Sequence, residues 1–346
     1  MDVLIKNNII KNIENFEPVI LVKTMDPSKT IEDILIENPK LAFYISSIRP
    51  ESRTFDIIQG VKLKVDYINT DIPKDLVFIV KTEDELQRVF HKVISESQLK
   101  IGIVSDKVDA DKVYWDFHGV YQLYYSNLVN TQSSHMQFSF LPFTYYIFDF
   151  SYRIGRVKLN MMRREVEDKI KELDKKLFAP SMTGIEIAYI AHNYLARTVD
   201  YWVIDDPNPL ELSYRQSAYG ALINKKCVCQ GYAEAFKKIL NYKGVSCEVV
   251  SGKIKGENSY HAWNVLTINN LNNFHIDVTW DSLGGGKKRD DYFGLMDKDL
   301  TSTRMWTRPF GIVCVSSINL AKMAKERIAR SRDKYIRYGV DAKYLD

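Results

Sequence analysis

The chain has 346 residues, 45% of them hydrophobic and 27% charged, which is enough for two domains with a sizeable core and unlike a disordered or fibrous protein. With 48 Lys and Arg against 44 Asp and Glu, the formal charge of +4 is too small for this size to argue for nucleic acid. Four cysteines make no disulfide framework, no apolar run reaches the length of a membrane span, and Met1-Asp2-Val3-Leu4-Ile5-Lys6-Asn7-Asn8 lacks the apolar stretch of a signal peptide, so a cytoplasmic location is expected. In chain order, Leu76 to Val80 reads as a strand. Thr82 to Glu85 matches a capping box, and Leu86, Val89, Phe90 and Val93 form a helical stripe behind it. Lys100 to Val104 reads as the next strand, so this half is expected to hold a small α/β unit.

From Val113 to Phe150 the chain is dense in aromatics, including Tyr114, Trp115, Tyr121, Tyr124, Tyr125, Phe138, Phe140, Tyr145, Tyr146 and Phe148. The expectation is β-structure packed against the C-terminal half, with most of these rings in a core; a sugar- or peptide-holding surface is the lesser reading. His118 and His135 carry no motif. Arg156 to Leu177 places Leu159, Met162, Val166, Ile170, Leu173 and Leu177 at helical spacing, an amphipathic connector that Pro180 and Gly184 end. Ile318 to Tyr338 is a second amphipathic helix, basic on its outer face, and that charge reads first as solvation.

Between these helices lies the chemistry. After Cys229, the side chains Tyr232, Phe236, Ile239 and Leu240 recur at helical spacing, and Gly244 follows Lys243, predicting a helix over 229–243. Cys229 then sits at a helix N-terminus, where free N–H groups and the dipole favour a thiolate and can hold an oxyanion. Gly231 is expected to let a substrate carbonyl approach the backbone. Three β-rich runs follow, over 245–254, 261–268 and 274–280, with Asn269-Asn270-Leu271-Asn272-Asn273 as a turn. His261 and Asp277 thus fall on two arms of one hairpin. They share a face only across an odd-numbered loop or a bulge, so one of these is predicted. A thiol, an imidazole to take its proton and a carboxylate to hold the ring make a nucleophilic cysteine.

Ser217-Ala218-Tyr219-Gly220-Ala221-Leu222, Cys229-Gln230-Gly231-Tyr232-Ala233-Glu234-Ala235-Phe236, His261-Ala262-Trp263-Asn264 and Asp277-Val278-Thr279-Trp280-Asp281 together resemble the transglutaminase-like superfamily of papain-type cysteine enzymes. His192-Asn193-Tyr194-Leu195 up to Asp200-Tyr201, and Tyr292 to Asp297, add weaker matches, so the resemblance covers about residues 180 to 310. It implies an α+β fold in which a helix carrying the cysteine packs on an antiparallel sheet, with Cys229 as nucleophile, His261 as base and Asp277 as orienting carboxylate. Tyr219, Gln230, Gly231 and Trp263 are the oxyanion and substrate-binding candidates. Cys227, two residues before the nucleophile, and Gly294 depart from the commonest pattern. The reaction implied is acyl transfer on an amide of a protein or peptide substrate, with hydrolysis of peptide bonds ahead of cross-linking or deamidation. A binding scaffold that keeps the fold without turnover is the non-enzymatic reading, and retention of all three residues counts against it. The Lys, Asn, Ile and Tyr content fits an AT-rich, bacterial genome.

Each residue also has a plainer reading. Cys229 alone would pass for a buried core cysteine, and His261 for a structural histidine. Asp277 within an apolar strand is harder to explain so, because buried carboxylates are rare unless paired. Asp281 is the alternative carboxylate, placed in a loop or cap, and His275 is the rival base, on the face of Asp277. A zinc site from Cys227, Cys229, Cys247 and His261 or His275 lacks the second close ligand pair such sites use, so no metal or cofactor is expected. The expected organisation is an N-terminal α/β domain over 1–155, a connecting helix over 156–178, a catalytic domain over 179–316 and a basic helix over 317–346. Substrate identity and oligomeric state stay open.

Overall fold

A computed structural model of the chain describes residues 3–51, 60–114, 128–138, 141–203, 205–257, 259–269, 272–306 and 311–346. These fall into two compact units, one of residues 3–114 with 128–151 and one of residues 152–346. In the first unit, β1 (Val19–Val22) and β2 (Ile45–Pro50) flank β3 (Val61–Tyr67), whose alternating Val61, Leu63 and Val65 point inward. A second sheet runs β4 (Val77–Ile79), β5 (Lys100–Ser105), β7 (Thr144–Tyr152), β6 (Leu128–Gln137), with β4 and β5 parallel. The crossover between them is α1 (Glu83–Ser95), capped by Thr82, whose hydroxyl accepts from Glu85 N–H. That is the strand, helix, strand unit read from the sequence. Of the aromatic stretch, Tyr114, Tyr145 and Phe148 are core residues, while Trp115, His118, Tyr121, Tyr124, Tyr125 and Phe140 lie outside the described residues.

The second unit is built around α3 (Gly184–Thr198), which is buried on all sides from Ile185 to Ala196. Such a helix needs cover all round, and several elements supply it. Helix α2 (Arg156–Leu177), expected as a connector, gives Val166, Ile170, Leu173 and Leu177 to this core. The C-terminal α6 (Leu320–Arg337) gives Leu320, Ala324, Ile328 and Tyr335, and its basic residues project outward. Helix α4 (Cys229–Tyr242) contributes Tyr232, Phe236, Ile239 and Leu240, the stripe legible in the sequence. Together these helices cover one face of an antiparallel sheet.

That sheet has the strand order β12 (Phe293–Leu295), β11 (Asn272–Ile276), β10 (Tyr260–Ile268), β9 (Cys247–Ile254), β13 (Arg304–Trp306), with β8 (Lys226–Cys227) leading separately into α4. Asn264 pairs with Ile276 and Ile268 with Asn272, so three positions, 269–271, separate the arms of the hairpin. The odd count is the one predicted, and it carries His261 and Asp277 to the same face. Strand β11 stops earlier than expected. The run 274–280 was read as one strand, but Asp277 Oδ1 accepts Trp280 N–H at 3.1 Å and caps a single helical turn, α5 (Val278–Asp281). A carboxylate that satisfies an orphan N–H outweighs the β-propensity of Val278 and Thr279.

Candidate active site

The approach to Cys229 is fixed by backbone bonds. Asp200 and Tyr201 pair in parallel with Lys226 and Cys227. Trp202 N–H donates to Cys227 O, and Val228 N–H donates to Arg215 O, each at 2.8 Å. Val228 is extended and caps α4 with no side-chain hydrogen bond, which leaves the first-turn N–H groups of Cys229 and Gln230 facing outward. The thiol is half-buried and rests on Ala233, Val249 and Ala262. The Ala262 N–H and the His261 imidazole are the groups beside Sγ that favour its ionised form.

His261 Nε2 lies 2.6 Å from Asp277 Oδ2, so Nδ1 is the nitrogen turned to the thiol. Two indoles pack against the ring: Trp263 stacks on it at 6.0 Å and Trp280 lies tilted to it at 5.4 Å between centroids. Arg304 completes the cluster. It is 1% exposed, and its Nη2 lies 2.8 Å from the same Asp277 Oδ2. The angle there is that of an ion pair rather than an aligned hydrogen bond, and Nε and Nη1 have no acceptor. Aromatic faces hold the guanidinium instead, with its carbon 4.1 Å from the Trp280 centroid, 4.8 Å from Trp263 and 5.7 Å from Tyr292.

The electrostatics follow from this packing. Burial opposes charge on all three groups, and their contacts outweigh it. The His261 imidazole and the Ala262 N–H bring the Cys229 thiol below its ordinary range despite burial. Burial would lower His261, but Asp277 and the thiolate push it up to about 9. Asp277, which burial would raise, is held low by His261, Arg304 and the Trp280 N–H. The contacts thus shift the pair toward thiolate and imidazolium.

Residues 171–278 match the model of the transglutaminase-like superfamily. That segment of the chain is similar to the transglutaminase-like core. Two solved structures resemble it at low identity: a TGase, at 13% identity and a TM-score of 0.30 over 70% of this chain and 67% of the other, and a provisionally assigned cysteine protease from Cytophaga hutchinsonii, at 11% identity and 0.27 over 44% and 65%. No curated protein matches the chain.

Around this core the remaining candidates fall elsewhere. The Tyr219 phenol donates to Glu165 at 2.9 Å and its ring stacks on Tyr214, so it is directed at α2 rather than at the thiol. The Gln230 amide donates along the helix to Glu234 at 3.2 Å. A Cβ on Gly231 would lie 2.5 Å from Cys227 Cβ and 2.9 Å from Ser217 O. Glycine is required there by the packing of Cys227, and not to admit a substrate carbonyl. Trp263 is 1% exposed and donates to His275 Nδ1 at 3.0 Å; it supports the imidazole from below.

His275, the rival base, bonds to Asp297 through Nε2 at 2.9 Å. Asp281, the rival carboxylate, is fully buried against His192 Nε2 at 2.9 Å. The cysteines and histidines considered for zinc do not gather among the described residues; the only trio with metal-ligand geometry there is His275, Asp297 and Cys314. Because Trp263 N–H donates to His275 Nδ1, the proton of the neutral ring sits on Nε2, where a metal would need a lone pair. The trio reads as a hydrogen-bonded core. Arg304 is the site residue that sequence reading missed. Its one local signal is the Arg-Met-Trp alternation of β13, which sets a charge on the same face as Trp306.

Proposed function

We propose that this chain catalyses thiol-dependent acyl transfer on amide bonds and hydrolyses peptide bonds, with Cys229 as nucleophile, His261 as general acid and base and Asp277 as the carboxylate that orients it. The observation that carries this reading is the placement of His261 between the Cys229 thiol and Asp277. The Cys229 thiolate attacks the carbonyl carbon, and the resulting oxyanion accepts from the first-turn N–H groups of α4. The His261 imidazolium gives its Nδ1 proton to the leaving amine as the C–N bond breaks. Water then enters, loses a proton to the same nitrogen and attacks the thioester, releasing the acid and restoring the thiol. Asp277 keeps Nε2 protonated throughout, so Nδ1 is free to exchange protons.

The test is alkylation of the native protein by iodoacetamide across pH, with peptide mapping of the modified cysteine. Cys229 is expected to react selectively well below the pH at which an ordinary thiol ionises, and His261→Ala to remove that selectivity. Equal reaction of Cys229, Cys227, Cys247 and Cys314 would overturn the assignment.

A further inference from the structure

Cross-strand partners share a sheet face, and so do alternate residues along a strand. Two registers therefore place Cys247, Val249, Ser251 and Lys253 of β9 on one face with Tyr260, Ala262, Asn264 and Leu266 of β10 and Met305 of β13. Helix α4 covers the Cys247–Leu266 end of this face, and its first residue, Cys229, rests on Val249 and Ala262. One step beyond the thiol the helix has ended. The row there is Tyr260, Lys253 and Met305, in that order outward from β10 to β13. Tyr260 is 64% exposed and Met305 57%. Lys253 is half-buried between them, and no carboxylate among the described residues pairs with it. Glu257, the carboxylate on the turn from β9 to β10, accepts from Ser259 Oγ at 2.7 Å.

Tyr260 and Met305 flank Lys253 on the face where Cys229 rests on Val249 and Ala262. We infer that Tyr260, Lys253 and Met305 form the specificity surface of this site and select peptides with an apolar residue next to the scissile amide and an acidic residue beyond it. This rests on the thiol reading above. Strands lie about 4.8 Å apart, so Tyr260 to Met305 spans roughly 10 Å, or about three residues of extended chain. An apolar side chain packs on the Tyr260 ring, and a carboxylate one or two residues further meets Lys253. A basic residue at that position meets the same charge and is rejected.

Two peptidyl acyloxymethyl ketones separate the possibilities. They are identical, with leucine at the electrophile, except for aspartate or lysine at the next residue. The aspartate probe is expected to label Cys229 roughly tenfold faster than the lysine probe, and Lys253→Glu to invert that order. Tyr260→Ser is expected to remove the advantage of leucine over glycine at the electrophile. An unchanged ratio of the two probes in Lys253→Glu would overturn the inference. Iodoacetamide is run beside them on the wild-type protein: if it labels Cys229 selectively while the probes show no charge preference, the specificity surface is wrong and the thiol site stands. If Cys229 shows no selective labelling by any reagent, both fall together.

Discussion

Asp277→Asn tests the cluster most sharply, because Asp277 serves two cations at once. The amide is isosteric and can still accept the Trp280 N–H through its oxygen. What disappears is the charge facing His261 Nε2 at 2.6 Å and Arg304 Nη2 at 2.8 Å. His261 can adapt by releasing its proton, but Arg304 cannot. Arg304 is 1% exposed with Nε and Nη1 lacking acceptors, so its only remaining support is the rings of Trp280, Trp263 and Tyr292. Breaking a buried pair from one side costs about 3–5 kcal/mol, of which aromatic contacts recover about 2 kcal/mol at best. For a unit of this size each kcal/mol moves Tm by about 2–4 °C, so Asp277→Asn is expected to melt on the order of 10 °C lower.

The double variant Asp277→Asn with Arg304→Met removes the stranded charge while keeping an unbranched apolar stem. It is expected to melt above the single variant, and Arg304→Met alone closes the double-mutant cycle that gives the coupling. It recovers no reactivity, because nothing then holds His261 in its tautomer, and selective alkylation of Cys229 below neutral pH is lost in both variants. Thermal melts and iodoacetamide labelling on the same preparations measure the two effects. If single and double variants melt together, Asp277 is not the counter-ion of Arg304 and the argument fails.

Three further outcomes follow from the same geometry. Peptide hydrolysis should rise through the lowered Cys229 thiol and fall as pH passes about 9, where His261 loses the proton it gives to the leaving amine; a fall near neutrality in the pH–rate profile would show that the imidazolium is not stabilised. Since His261 is raised above its ordinary 6.5, its charge contributes stability in full below about 6.5 and loses it as pH rises through about 9; the lowered Cys229 thiol works in the opposite sense across that window, so the drop in urea midpoint is read in Cys229→Ser and should shrink when His261→Gln is added. Gly231→Ala should destabilise by at least about 1–3 kcal/mol, and Cys227→Ala should not rescue it, because the contact at 2.5 Å is with the Cys227 Cβ that alanine keeps; paired melts decide. Trp263→Phe removes the donor to His275 Nδ1 and should cost about 1–3 kcal/mol in denaturant titrations, and a neutral result would mean that bond carries no net stability.

Much of this was legible in the sequence, for local reasons. The start of α4 at Cys229 follows from apolar spacing on one side of Val228 and its absence on the other. The odd hairpin loop follows from a parity requirement on His261 and Asp277. What escaped depends on partners far along the chain. Tyr219 looked free to serve an oxyanion because Glu165, its acceptor, lies on α2. Gly231 looked like a substrate contact because the side chain that forbids a Cβ there belongs to Cys227, reached only after the chain turns through β8 into α4. Arg304 reaches Asp277 only because β13 pairs with β9 at the sheet edge, a register that no local pattern announces. The helical turn after Asp277 hid behind the β-propensity of its own residues.

Among its described residues the second unit holds three buried histidine–aspartate pairs, and comparing them shows what sets apart the one proposed to be reactive. His192 with Asp281, His275 with Asp297 and His261 with Asp277 have Nε2–Oδ distances of 2.9, 2.9 and 2.6 Å, so the pair itself does not distinguish them. The other ring nitrogen does. Nδ1 of His192 lies 3.4 Å from Asn193 Oδ1, and Nδ1 of His275 accepts the Trp263 indole N–H at 3.0 Å; each is committed to a group that neither gains nor loses a proton. Nδ1 of His261 faces a half-buried thiol instead, a group that can exchange a proton with it. The second difference is Arg304, buried and 2.8 Å from Asp277, whereas the guanidinium beside Asp281, that of Arg289, is 3.9 Å away and half-exposed. A histidine–aspartate pair deep in a core can share its proton without consequence, but a carboxylate shared between an imidazolium and a fixed guanidinium stays ionised while the imidazole cycles. In the proposed mechanism the buried cation, costly by itself, helps to keep Asp277 in one protonation state through both halves of the reaction.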